Sequence, residues 1–319
     1  MKRKIIKLGQ ATYVMSLPSA WIRENKLDKG DYLEVAEEEG VLKLSSGQVK
    51  KGKTLQLNIT KLNDKLTAGN IETAYLLGYE TVELIHNPTI SVYSHVLRPK
   101  KERKSTELLQ ELVNQKLIGM EIVEQSEKRT VIKDLGAGVD TESAQNIFNR
   151  ILFLLSSQAA EVLSGLKAHD KDKLKVIQPS FSNTRRFILY YSRLLSMVSY
   201  SREEVKIRNN ITEHFNTVNS SYKSIVNMAL SLEKINYSKN ALFTLELINN
   251  HLRDLRDLCL NYNLDKAIEL LNNRERVWNE GYAQKATVND LPLYWNLGAL
   301  MGAAWFITKE LYGLNMKGS

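Results

Sequence analysis

Apolar residues follow two different periods along this chain, and the period changes near residue 140. Before that point the apolar runs are short and many alternate with polar residues, which is typical of half-buried strands. After it, apolar residues recur every three or four positions over long stretches, which is typical of amphipathic helices. The pattern predicts an α+β multidomain chain that is β-rich at its start, mixed in its middle and all-helical at its end.

Residues 1–47 form the first predicted domain. Gly9 interrupts the first apolar run, and Pro18 suits the first turn of a helix because it has no N–H to leave unpaired. Lys29-Gly30-Asp31 is typical of a turn. The predicted elements are strands over 5–8, 13–17, 32–35 and 40–44 and a short helix that begins at Pro18.

A second domain is predicted over residues 52–137, after a polar and basic hinge. The order strand–helix–strand and then helix–strand–strand predicts a small α/β sandwich with helices on one face. Gly78 is predicted to end the first of these helices. The basic stretch over 96–105 is predicted to be an exposed loop. The predicted elements are strands over 54–59, 81–85, 120–124 and 130–134 and helices over 67–77 and 107–116.

Residues 140–319 are predicted to form an antiparallel helical bundle, because long helical patterns are joined by short polar turns. All five prolines are predicted to lie at the ends of elements. Gly298, Gly302 and Ala303 allow helices to approach closely, either within the bundle or between two copies. The predicted helices cover 147–155, 187–195, 202–232, 238–261, 265–279 and 291–311. The aromatic residues assigned to the core are Tyr190, Tyr191, Phe215, Tyr222, Phe243, Trp278, Trp295, Trp305 and Phe306.

Composition narrows the class of protein. The 319 residues carry a net charge of +8 with a sequence pI near 9.2, which permits a nucleic-acid partner without requiring one. A single cysteine, Cys259, excludes an internal disulfide framework and a cysteine-based zinc site. No signal peptide and no run of about twenty apolar residues is found. We therefore expect a soluble, cytoplasmic protein without membrane insertion.

No arrangement typical of catalysis is present. The histidines are scattered, and neither a metalloprotease helix motif, a nucleophile elbow nor a phosphate-binding loop of the Walker type occurs. The sequence therefore predicts that the protein is not an enzyme and needs no cofactor.

Three linked motifs carry a resemblance in the first domain. They are Lys7-Leu8-Gly9-Gln10-Ala11, Ser16-Leu17-Pro18-Ser19-Ala20-Trp21 and the stretch 27–35, Leu-Asp-Lys-Gly-Asp-Tyr-Leu-Glu-Val. In this order they resemble the AbrB/MazE/SpoVT family of swapped-hairpin DNA-binding domains. The resemblance implies a β-barrel formed by an obligate homodimer through residues 1–47, because so few residues cannot bury an adequate core alone. It also implies a DNA-binding surface on the basic first strand and the glycine turn.

The basic residues at the start of the chain come before its first acidic residue, and a dimer doubles their charge. The bland alternative is a solvated run of charges. The predicted phosphate contacts are Lys2, Arg3, Lys4 and Lys7, the predicted base contacts are Gln10 and Thr12, and Arg23 is a further candidate.

The rest of the chain resembles archaeal PhoU-type phosphate regulators that carry such heads, most clearly over 116–125 and 131–135. This family often holds iron or zinc on acidic residues four positions apart. Here the nearest match is Glu246, Asn250 and Asp254, with an amide in the middle, and Gly298, Met301, Gly302 and Ala303 stand where the last helix should be acidic. An amide is a poorer ligand than a carboxylate for a hard cation. We therefore expect no metal, with these three residues as weak candidates.

Together the residues predict a DNA-binding transcriptional regulator of phosphate uptake or homeostasis. Its head dimerises and binds DNA, and its helical half senses a signal or docks a partner, such as a phosphate-transport or signalling protein. The alternative is an adaptor that does not bind DNA: the bundle acts on a transporter or a kinase, and the head serves mainly to dimerise.

Overall fold

The computed structural model describes residues 3–9, 11–38, 41–45, 53–93, 101–136, 139–282 and 290–315. The chain forms two compact units, Met1–Gly52 and Lys53–Ser319. The predicted domain boundaries, after residue 47 and after residue 137, stay predictions. Residues 53–137 and 140–319 lie in the same compact unit.

The first unit contains two separate β-hairpins. The chain passes through β1 (Ile5–Leu8), β2 (Thr12–Met15), α1 (Ser19–Glu24), β3 (Glu34–Glu38) and β4 (Val41–Ser45). β1 pairs with β2 and β3 with β4, each pair antiparallel, and the described residues of this single chain form no closed barrel. Helix α1 buries none of its residues. One copy of this unit therefore lacks a core of its own among the residues described.

The second unit begins with a mixed sheet and two helices. The elements are β5 (Thr54–Asn58), α2 (Asp64–Leu76), β6 (Thr81–Ile85), β7 (Thr89–Ser91), β8 (Glu102–Lys104), α3 (Ser105–Lys116), β9 (Met120–Gln125) and β10 (Arg129–Asp134). The sheet has the strand order β5-β6-β10-β9, with β5 and β6 parallel and the other pairs antiparallel. The short strands β7 and β8 pair with each other, so the predicted loop over 96–105 is wrong for the part that forms β8.

Helices α2 and α3 pack on this sheet. Apolar residues of both helices form one buried cluster with the sheet, including Ile71, Leu109 and Ile132. Gly78 adopts φ +74° just after α2, a conformation that glycine reaches without strain, as expected for the end of this helix.

The remaining helices form the bundle. They are α4 (Thr141–Lys167), α5 (Lys171–Leu195), α6 (Arg202–Ser231), α7 (Lys239–Leu260), α8 (Leu264–Val277) and α9 (Leu291–Asn315), with a π-helical turn over Trp278–Tyr282 after α8. A continuous buried cluster of apolar residues joins α4, α5, α6, α7 and α9. The bundle predicted from the helical period is thus confirmed.

Two expectations for the bundle are wrong. Pro179 lies inside α5, between the buried residues Ile177 and Phe181, so packing on both sides outweighs the hydrogen bond that proline cannot make. Among the aromatic residues assigned to the core, Trp278 is 58% exposed and Trp295 is 83% exposed.

Within the described residues, no helix combines the length and the apolar content that crossing a membrane requires.

Candidate functional site

The β1–β2 hairpin has two different faces. Residues that lie opposite each other in an antiparallel pair project to the same side of the sheet, and the register pairs Lys7 with Tyr13 and Leu8 with Thr12. One face therefore carries Ile5, Lys7, Tyr13 and Met15, and the other carries Ile6, Leu8, Thr12 and Val14. The first face carries the Lys7 cation opposite Tyr13, with Ile5 and Met15 also exposed, and the second is apolar except for Thr12.

Both faces are uncovered in a single chain. Ile6 is 57% exposed and Leu8 is 62% exposed, although apolar side chains of this size are usually buried in a folded domain. Tyr32, Val35 and Leu42 in the rest of the unit are also exposed. An apolar surface of this extent indicates an interface rather than a free surface.

Charge is separated along the first unit. Every charged residue up to Arg23 is basic, whereas seven acidic residues lie between Glu24 and Glu39. Arg3, Lys4, Lys7 and Arg23 are exposed, and none of them has an ion-pair partner among the described residues. The hairpin therefore presents positive charge that the described part of the chain does not neutralise.

The structure separates some of the residues predicted to act together. Lys2 and Gln10 lie outside the described residues. Thr12 projects from the apolar face of the hairpin, opposite to Lys7, so these two side chains do not form one continuous surface. Arg23 lies in the last turn of α1 and is exposed.

The second unit contains a buried arginine that the sequence reasoning missed. Arg193 of α5 is 1% exposed, and its guanidinium donates to the backbone oxygens of Tyr75 and Tyr79 at 2.6 and 3.0 Å. It also pairs with the Asp134 carboxylate at 2.6 Å and lies 4.7 Å from the centre of the Tyr75 ring. One side chain of the bundle thus joins helix α2, the turn after it and the end of β10. Its only sequence signal is a cation within the apolar run at the end of α5.

The weak metal candidates do not converge. Glu246 forms an ion pair with Lys167 of α4 at 2.8 Å. Asp254 lies near Lys266 of α8, at 4.0 Å, and Asn250 lines a groove of about 560 Å³ between α4 and α7. No three acidic, histidine or cysteine side chains come together as a metal site within the part of the chain that the structure describes. Each carboxylate of the predicted set faces a cation instead.

A cleft of about 530 Å³ lies where α4 and α6 begin and α7 and α9 end. Arg208 is the only cation among the described residues that line it. Its guanidinium already donates to Glu204 at 2.9 Å, to the Tyr191 hydroxyl at 3.0 Å and to Gln145 at 3.3 Å. Burial raises the pKa of Tyr191 to about 12, which keeps this hydroxyl protonated. Because the Arg208 guanidinium already donates to three side chains, it is not available to bind a phosphate group in this cleft.

Comparison with known proteins adds little. No protein-family model and no curated protein matches the chain. Among solved structures, it is similar to the phosphate transport system regulatory protein PhoU from Streptococcus pneumoniae, at 15% identity over 54% of this chain and 90% of that one, with a TM-score of 0.40. A likeness at this level carries no argument about what the chain does.

Proposed function

We propose that the protein is a dimeric DNA-binding regulator rather than an enzyme. The observation that carries the proposal is the β1–β2 hairpin, which presents Lys7 and Tyr13 on one exposed face and is preceded in the chain by the exposed Arg3 and Lys4, in a stretch without acidic residues. Unpaired cations on an exposed surface release counterions from nucleic-acid phosphates when they bind. The sequence resemblance of the head to swapped-hairpin domains supports the same function.

The other face of the hairpin supports dimerisation. Ile6, Leu8 and Val14 need cover, and a second copy of the same apolar face supplies it by two-fold symmetry. Two copies would complete the barrel that one chain lacks and would place two basic hairpins on one assembly. The sequence resemblance to archaeal PhoU-type regulators supports phosphate homeostasis as the process.

A second candidate function is an adaptor whose head only dimerises. The observation that favours it is a cleft of about 550 Å³ at α8, lined by Trp278, Arg274 and Trp305. The Arg274 guanidinium lies 4.8 Å from the centre of the Trp305 ring. Tryptophan and arginine dominate the binding energy of many protein interfaces. In this case the bundle would bind a protein partner, and DNA would not be bound.

Fluorescence anisotropy on pooled genomic DNA fragments, at two salt concentrations, tests the proposal. We expect affinity to fall with salt. The double variant Lys4→Ala/Lys7→Ala removes four cations from a dimer, so the slope of log K against log salt should fall by up to about 3 to 4.

The matched control is Lys26→Ala/Lys29→Ala, which removes the same charge from the acidic half of the head and should leave the slope within about 1 of its original value. If both double variants behave like the unchanged protein, or if the protein binds no DNA, the head is a dimerisation device and the adaptor function is supported instead.

A further inference from the structure

Helix α9 is apolar on nearly all sides, and yet one of its faces is exposed. A helix of that composition is normally surrounded by protein. Leu291, Trp295 and Phe306 are 57%, 83% and 40% exposed, whereas Leu297, Leu300 and Ala304 on the inner side are fully buried. The described residues of the second unit therefore cover this face only in part: Trp305 donates its indole N–H to the Leu271 backbone oxygen at 3.1 Å and the Phe306 ring stacks on His214, whereas Trp295 is left exposed.

The side chains along this face follow a palindromic spacing. Two residues separate Trp295 from Gly298, three separate Gly298 from Gly302, and two separate Gly302 from Trp305. Phe306 follows Trp305 directly. Large aromatic side chains thus flank two glycines at equal distances on either side of residue 300. A surface that is the same in both directions can pack against its own copy around a two-fold axis.

Gly302 is not explained by packing among the described residues. A Cβ atom on Gly302 would meet none of them within 4 Å, whereas one on Gly165 would lie 2.6 Å from the Leu174 side chain. Glycine weakens a helix relative to alanine, and at Gly302 no neighbour in the described part of the chain requires it. Small residues four positions apart allow the backbones of two helices to approach closely.

We propose that α9 pairs with α9 of a second copy, antiparallel, around an axis near residues 300 and 301. The pairing seats Trp295 of each copy against Trp305 and Phe306 of the other, and it brings Gly298 and Gly302 of the two copies together. This inference rests on the dimer described under the proposed function, which supplies the second copy.

The size of the face selects a second copy over an unrelated partner. With about 150–250 Å² per large aromatic side chain, the three most exposed residues present on the order of 400 Å² in each copy. A pair would bury on the order of 800 Å², which is less than the roughly 1,200 Å² of a stable independent interface. A copy already held by the head binds at a high effective concentration and needs no more than this.

Disulfide cross-linking of the full chain tests the pairing. Ala299→Cys in a Cys259→Ala background places one thiol per chain close to the axis, and mild oxidation should link most of the protein into a covalent dimer. Adding Gly302→Leu should reduce the cross-link at least about tenfold, because the new side chain fills the space where the helices cross, while sedimentation still shows a dimer.

Three controls make the result specific. Gly69→Leu, at an exposed glycine of α2 where a Cβ also meets nothing within 4 Å, should leave the Ala299→Cys cross-link unchanged. Trp295→Cys should not cross-link to itself, because antiparallel helices hold its two copies on the order of 15 Å apart along the axis. Ser157→Cys on the exposed face of α4 reports random collision.

The possible outcomes separate this inference from the function on which it rests. A dimer that does not cross-link through Ala299→Cys, or whose cross-link survives Gly302→Leu, overturns the α9 pairing and leaves the head dimer standing. It would then leave the α9 face to another partner. A monomeric protein overturns both. A cross-link through Trp295→Cys overturns the antiparallel arrangement.

Discussion

Arg193 is a buried cation whose guanidinium donates hydrogen bonds to other elements. It binds two backbone oxygens next to α2 and the Asp134 carboxylate, 59 residues away in the sequence. Burying a pair of charges is costly in itself, so the pair need not add stability over an apolar contact. Breaking it is a different matter, since the partly buried Asp134 carboxylate then loses its cation.

We expect Arg193→Met to lower the free energy of unfolding by about 3 to 5 kcal/mol, because the Asp134 carboxylate and two backbone oxygens each lose the hydrogen bond from Arg193. Urea unfolding of the full chain measures the change. The control is Arg185→Met on the same helix, whose side chain is 56% exposed and which should change the free energy of unfolding by no more than about 0.5 kcal/mol. Equal effects of the two substitutions would contradict the prediction that the contacts of Arg193 stabilise the fold.

His251 makes the free energy of unfolding depend on pH. It is buried between α7 and α9, its Nε2 atom lies 3.2 Å from the Thr308 hydroxyl, and its Nδ1 atom has no hydrogen-bond partner among the described residues. Burial lowers the pKa of His251 to about 4, from about 6.5 in an unfolded chain. Between these two values the unfolded chain binds a proton that the folded protein does not.

The contribution of His251 is therefore complete above pH 6.5 and is lost as the pH falls towards 4. We expect the free energy of unfolding to fall through this window by about 3 kcal/mol more than in His251→Leu. Chemical unfolding at a series of pH values measures both proteins, and subtraction removes the titration of the carboxylates. Parallel pH profiles for the two proteins would contradict the assignment.

At the scale of single elements, the bundle helices begin at polar caps. The backbone N–H three residues inside each helix donates to a side-chain oxygen at its start, in five successive helices. These caps satisfy donors that the helix itself cannot pair. The caps are Asp140, Asp170, Ser201, Ser238 and Asn263.

Ser201, which caps the longest helix, allows a matched test. Ser201→Ala should lower the free energy of unfolding by about 1 kcal/mol, because the Glu204 N–H loses its acceptor. Ser220→Ala makes the same substitution on the exposed surface within the same helix and should be neutral or slightly stabilising, since alanine is the better helix former. Thermal unfolding compares the two variants, and a cap effect no larger than the control would refute the prediction.

At the scale of the whole molecule, the proposed function requires a second copy of the first unit. Ile6→Lys places a charge on the apolar face of the hairpin and should convert the protein to a monomer in sedimentation velocity. Ile5→Lys makes the same change on the face that carries Lys7 and should leave the dimer intact. A dimer that survives Ile6→Lys would mean that this face is not the interface, and one lost with Ile5→Lys would mean that the two faces are reversed.

The sequence alone determined some of the long helices with little error, although α4 (Thr141–Lys167) and α5 (Lys171–Leu195) extend well beyond the predicted 147–155 and 187–195. The helices predicted over 202–232, 238–261 and 265–279 match α6, α7 and α8 within about two residues at each end. The hydrophobic period, the helix caps and the turn residues each depend on positions only a few residues apart. The local sequence therefore contains all the information that specifies them.

The tertiary structure alone decided which side chains are covered and which meet. Arg193 binds Tyr75 across 118 residues of sequence, Glu246 meets Lys167 instead of a metal partner, and Trp295 is exposed although its helical spacing predicts a core position. Burial and pairing depend on which distant elements pack together. The pattern along one helix gives its apolar content, but it does not say how many of its faces the rest of the chain will cover.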